Sequence, residues 1–110
     1  MGRRVVITGM GLITALGNDL ESSWDALLRG QGGVRRITRF DPDLFATQIA
    51  AEVQGFDAEA FIDKKEIRRQ DLFTQLAVAT SDMALADSGI DMNSEDQTRV
   101  GVIIGSGIGG

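Results

Sequence analysis

A chain of 110 residues is long enough for one domain, and folding at that size buries roughly two thirds of the surface an unfolded chain exposes. A hydrophobic content of 43% with 25% charged residues is that of a globular protein and excludes a disordered chain, while a net charge of −5 excludes general affinity for nucleic acid. With no cysteine and no histidine, a disulfide framework, the usual zinc sites and the common nucleophile and base pairs are excluded as well.

The chain opens on Met1-Gly2-Arg3-Arg4 and then Val5-Val6-Ile7-Thr8, an apolar run too short for a signal-peptide core or a membrane span. Val6 stands where myristoylation requires Ser or Thr. A cytoplasmic protein without a membrane span is expected. The β-branched run at 5–8, ended by Gly9-Met10-Gly11, predicts a central strand buried on both faces.

After Gly17, Asn18 reads as a helix cap with Glu21 three residues on, and Leu20, Trp24, Leu27 and Leu28 follow at helical spacing until Gly30 stops the helix. Trp24 is read as a core residue rather than a ligand platform, and so is Met83 further on. Residues 32–42 read as connecting structure with a brief stretch at Val34–Ile37 and a turn at Asp41-Pro42. Thr47–Val53 alternates Ile49, Ala51 and Val53 with Gln48, Ala50 and Glu52, which predicts an edge strand whose second face is wetter.

The longest helix is expected over 71–88, with Leu72, Leu76, Ala79, Met83 and Ala86 on one stripe and Phe73, Ala77 and Ala84 on the next. So wide an apolar surface predicts burial on most sides, and Gly89 is the natural stop. Asn93–Gln97 reads as a polar turn, after which Val100–Ile104 reads as a second buried strand running into Gly105-Ser106-Gly107-Ile108-Gly109-Gly110. This order of strands and helices implies an α/β fold with a parallel or mixed sheet. A strand so apolar, placed last, asks for sheet neighbours that the chain scarcely has left, so the sequence reads as part of a longer one.

Two features could carry chemistry. Gly105, Gly107 and Gly110 match the first half of a dinucleotide-binding fingerprint after a predicted strand, and they fit a tight glycine turn equally. The cluster Lys64-Lys65-Glu66-Ile67-Arg68-Arg69 stands out in an acidic chain. On a helix Lys64 would face Arg68, and Lys65 would face Arg69, with no acid four residues before them except Asp63, which falls opposite Ile67. Such a cluster is either a solvated face or a docking site for an acidic partner.

Taken together, Arg4–Gly11, the helix start at Gly17-Asn18, Trp24–Leu28, Lys65-Glu66 with Arg68–Asp71, and the terminal Gly105–Gly110 resemble the beginning of the β-ketoacyl-acyl carrier protein synthase II family. The resemblance runs over all 110 residues. It implies an incomplete N-terminal part of a thiolase-like layered α-β-α-β-α fold, with residues 1–110 as one partial domain of an enzyme that works as a homodimer. Members of the family transfer an acyl group from acyl carrier protein to a cysteine, then join it to the carbanion formed by decarboxylating malonyl carrier protein. Two histidines and a helix-terminal oxyanion site assist there, and none of these side chains occurs here, so no catalytic residue is assigned and the chain alone is expected to be inactive.

By the same resemblance Lys65, Arg68 and Arg69 match basic positions that face the acidic carrier protein, and Ile108 matches a position lining the acyl pocket. No cofactor, metal or nucleic-acid partner is expected. The readings weighed against this one are a small dinucleotide-binding module and a non-catalytic chain-length partner of a ketosynthase.

Overall fold

The computed structural model describes residues 2–110, which form two compact units, one of residues 2–11 with 57–110 and the other of Leu12–Phe56.

The second unit begins with a tight turn in which the Thr14 amide donates to the Gly17 carbonyl at 2.8 Å. Helix α1 follows over Leu20–Leu28. Its cap is Asp19 rather than the expected Asn18: the Asp19 carboxylate accepts from the Ser22 amide at 2.7 Å. Asn18 instead donates its side-chain amide to the Gln54 carbonyl at 2.8 Å. Both residues can cap a helix, and the choice between neighbours turns on this long-range bond, which no local pattern reveals. As expected, the helix ends before Gly30, which adopts φ 67.

The buried side of α1 is made by Ser23 and Ala26, not by the predicted stripe, for Trp24 is 57% exposed and Leu27 and Leu28 are exposed with it. Ser23 satisfies its hydroxyl on the Gly17 carbonyl and on Thr14, both at 3.1 Å, which lets a polar group sit inside.

Val34–Arg36, read from sequence as connecting structure, is strand β1, and it pairs antiparallel with β2, Ile49–Ala51. Val34 faces Ala51 and Arg36 faces Ile49 in the register. The strand expected over 47–53 is confined to Ile49–Ala51, and the faces are reversed there: Gln48, Ala50 and Glu52 are half-buried, whereas Ile49 and Ala51 are exposed and Val53 is half-buried. The polar face turns inward because its side chains tie down the connecting loop. Gln48 and Asp43 both accept from Arg36, and Glu52 accepts from the Thr38 amide, the Thr38 hydroxyl and the Arg39 amide.

In the first unit a 3-10 turn, Ala58–Ala60, packs against α2, Lys64–Ile67, and α3, Leu72–Ser88. The boundaries of α3 agree with the sequence reading, and Gly89 closes it in the left-handed conformation at φ 66. Ala79 is fully buried, yet Phe73, Val78 and Leu85 remain exposed, so α3 is less enclosed than its composition predicts. The polar turn was read correctly: Asp91 accepts from Asn93 and Ser94, and a 3-10 turn follows over Gln97–Arg99.

Neither of the two expected buried strands belongs to a ladder. Among the described residues the only named sheet is β1 with β2, and Val5 and Ile103 are 88% and 98% exposed. A strand exists only through partners for its amides and carbonyls, and these runs find none here. What fixes the N-terminal run is its glycines. A Cβ on Gly9 would strike the backbone of Ala84 and Ser88, and one on Gly11 would strike the Thr80 carbonyl and come within 2.9 Å of the Met83 Cβ. Between them the Met10 amide donates to the Asp87 carboxylate at 2.8 Å.

Gly11→Ala is therefore expected to separate this segment from α3, with an overpacking cost of about 1–3 kcal/mol. The readout is the midpoint of urea unfolding followed by circular dichroism, and an unchanged midpoint would contradict the contact.

Glu52 is held below the usual carboxylate range, chiefly by the Thr38 hydroxyl and then by the Thr38 and Arg39 amides. A folded value below the unfolded one stabilises the hairpin above the ordinary carboxylate range, and that contribution is lost as pH falls through the folded value. Exchange of the Thr38 amide should accordingly lose protection on acidification beyond the intrinsic pH trend, and Glu52→Gln should remove that extra dependence. The same dependence persisting in Glu52→Gln would contradict it.

Candidate functional site

The basic cluster is split by the structure. The predicted helix through it is short, ending at Ile67 with Arg68 as its cap, so the expected i,i+4 facing of like charges does not run through the cluster. Acids that the sequence reading passed over offset two of its cations. Glu59, on the preceding 3-10 turn, binds Lys64 at 3.1 Å, and Glu66 binds Arg69 at 3.6 Å across an i,i+3 step. Lys65 and Arg68 are exposed and take part in no ion pair among the described residues. Local positive charge survives at these two side chains in a chain of net charge −5.

Immediately after the cluster, Asp71 caps α3 with φ −69 and ψ 158, and its carbonyl accepts from the Thr74 and Gln75 amides at 3.0 and 3.1 Å. Its carboxylate makes no capping bond. The carboxylate lies instead against the glycine run: a Cβ on Gly110 would stand 2.5 Å from Asp71 Cγ and Oδ2. Gly109 adopts φ 91, a Cβ on it would stand 3.9 Å from the Phe73 ring, and its amide donates to the Ser106 hydroxyl at 3.0 Å. Ile108 projects from this turn fully exposed.

Beside the same helix, Phe73, Ala77, Val78 and Leu85 form with Val102 and Ile104 an apolar groove of about 510 Å³. Both candidate features are thus joined to α3, the basic residues ahead of its first turn and the glycine run against that turn. The sequence reading singled out Lys65, Arg68, Arg69 and Ile108 but gave no role to Asp71. No spacing could have found one, because its neighbour is Gly110, 39 positions along the chain.

Among the described residues no group of acids is placed to hold a metal ion, and no helix is long and apolar enough to cross a membrane.

This arrangement is the N-terminal portion of a thiolase-like α/β fold. Two solved ketosynthase structures share it: one described as the ishigamide ketosynthase/chain length factor, with TM-score 0.75 and 36% identity over 83% of this chain, and a beta-ketoacyl synthase from Burkholderia phymatum, with TM-score 0.67 and 38% identity over 84%. The chain spans 23% of each. It belongs to the beta-ketoacyl synthase family, whose N-terminal domain matches residues 2–110.

Its relatives include proteins named 3-oxoacyl-[acyl-carrier-protein] synthase 2 from Vibrio cholerae and Coxiella burnetii, 52% and 53% identical over 98% of this chain. The chain spans 26% of the length of each. These likenesses favour a ketosynthase segment over a dinucleotide-binding module, and the glycine run is part of the family match.

Proposed function

We propose that the chain is the N-terminal segment of a 3-oxoacyl-[acyl-carrier-protein] synthase 2, a cytoplasmic homodimer that lengthens acyl chains by decarboxylative condensation. Residues 1–110 form part of its N-terminal thiolase-like half. The observation that carries this is identity above 50% to synthases of that name over nearly the whole segment. In the reaction a cysteine thiolate attacks the acyl thioester and releases the carrier thiol, malonyl carrier protein loses carbon dioxide, and the resulting carbanion displaces the cysteine from the acyl group. The segment has neither cysteine nor histidine, so the nucleophile and the imidazoles that assist it come from the rest of the synthase.

The segment supplies contacts. Lys65, Arg68 and Arg69 receive the acidic acyl carrier protein, a role supported by their exposure and by the free charge of Lys65 and Arg68. Ile108 lines the acyl pocket and yields to long chains, a role supported by the freedom of glycines on either side of it.

Exposed charges act over about 8 Å at physiological salt, so in the family-length synthase reversal at Arg68 and Arg69 is expected to raise KM for carrier-bound substrate in a salt-dependent way. Small thioester analogues should be spared. Equal loss on both substrates would overturn the docking role.

Ile108→Phe is expected to slow acylation by long chains and to spare short ones, since overpacking of about 1–3 kcal/mol falls on the chain that needs the space. A uniform fall along a ladder of acyl lengths would assign Ile108 to stability instead.

A further inference from the structure

We propose that Asp71 is a positioning residue that seats the glycine run and thereby sets where Ile108 stands. Given the reading of Arg68, Arg69 and Ile108 above, the first turn of α3 then holds the acyl-pocket loop from the same short stretch of chain that meets the carrier protein.

Three observations converge on this residue. An aspartate at a helix cap ordinarily turns its carboxylate onto the amides of the first turn, as Asp19 does at α1. At α3 that bond is absent. The carboxylate is free for another use, and the Gly110 backbone approaches it so closely that a Cβ there would lie 2.5 Å from Cγ and Oδ2 and 2.7 Å from the Asp71 Cβ. Two residues further on, the Phe73 ring comes 3.9 Å from where a Cβ on Gly109 would stand, and the φ of 91 at Gly109 belongs to glycine.

Among the described residues, a Cβ on Gly105 or Gly107 of the glycine run would meet nothing within 4 Å. The residues of the run are exposed, and among the described residues its internal hydrogen bond runs from the Gly109 amide to the Ser106 hydroxyl. The close approach within this run is that of Gly110 to the Asp71 carboxylate, with the Phe73 ring near Gly109. Ile108 is the residue next to this seat, so a displacement at 109–110 moves the isoleucine directly. Arg68 lies three residues before Asp71 and shares none of these contacts, so docking and seating are separable by mutation.

The experiment uses a family-length synthase carrying this segment, with Asp71→Gly, Gly110→Ala and the double variant. Glycine at a cap costs a helix little relative to aspartate, and here no capping bond is lost. Exchange of the amides at 106–110, read by mass spectrometry with the amides around Ala79 as a control for folding, should rise about threefold or more in Asp71→Gly as the seat opens. The ratio of long-chain to short-chain acylation should shift by about five- to tenfold in each single variant, as residues in contact couple strongly, while KM for carrier protein stays at the wild-type value.

Asp71→Gly removes the three atoms that stand nearest to the Gly110→Ala methyl, so the double variant should regain the ratio lost in Gly110→Ala. If Gly110→Ala alone fails to fold, recovery of folded protein in the double variant supports the seat in the same way. Unchanged exchange at 106–110 in Asp71→Gly, or a double variant no better than Gly110→Ala, overturns the proposal. These readings are distinct from failure of the functional assignment, which would appear as a wild-type protein that does not condense carrier-bound substrates whatever the exchange data show.

Discussion

The first unit depends on the approach of a glycine backbone to the backbone of α3. A side chain at Gly9 or Gly11 would occupy space already filled by the carbonyls of Ala84 and Thr80, and removing it lets the Met10 amide reach Asp87 at 2.8 Å. That bond joins positions 77 apart in sequence, so it fixes the N-terminal run against the second half of the helix. The opposite end of the helix meets the chain's last residues through Asp71 and Phe73. One helix of 17 residues therefore meets both the turn at Gly9–Gly11 and the glycine at position 110.

The second unit is held by a different means. Its interior side at α1 is small and polar, with Ser23 bonded to Gly17 and Thr14, and its hairpin is held by the three donors gathered on Glu52. Hydrogen bonds of this kind specify geometry while contributing modestly to stability, because each replaces a bond to water. Large apolar side chains such as Trp24 and Leu28 remain outside. For a chain spanning 26% of its relatives' length, such surfaces are consistent with a segment whose sequence is patterned for a larger core.

What could be read from sequence follows the range of the interactions involved. Helix α3 was legible to within a residue because periodicity and the stop at Gly89 are local. The end of α1 was legible for the same reason, but its cap was not, since Asn18 was claimed by Gln54, 36 positions away. The strand at Val34–Arg36 was missed because three residues carry too little alternation to register, and it exists through its pairing with Ile49–Ala51. Conversely Val5–Thr8 and Val100–Ile104 have the composition of buried strands without the partners that would make them so. Composition records what a segment suits, and pairing decides what it becomes. The family itself was legible because its motifs combine over the whole length, although each is weak alone.

The electrostatics of the basic cluster sharpen the roles proposed for it. Lys65, Arg68 and Arg69 are equal as sequence, but Arg69 is already engaged by Glu66 at 3.6 Å, and an incoming acidic surface must compete with that carboxylate. An exposed pair of this kind is weak, so the competition lowers the gain from Arg69 without abolishing it. Among the described residues Lys65 and Arg68 carry no such partner. Between these two, the guanidinium offers a planar fork that can take a carboxylate through two bonds at once, whereas the ammonium acts as a mobile point charge. Orientation of a docked acidic protein would therefore rest on Arg68 more than on its neighbours. Arg68 is also the cap of α2, placed where α2 gives way to the turn into α3, so the backbone of the cation proposed to orient a partner is placed by the end of that helix.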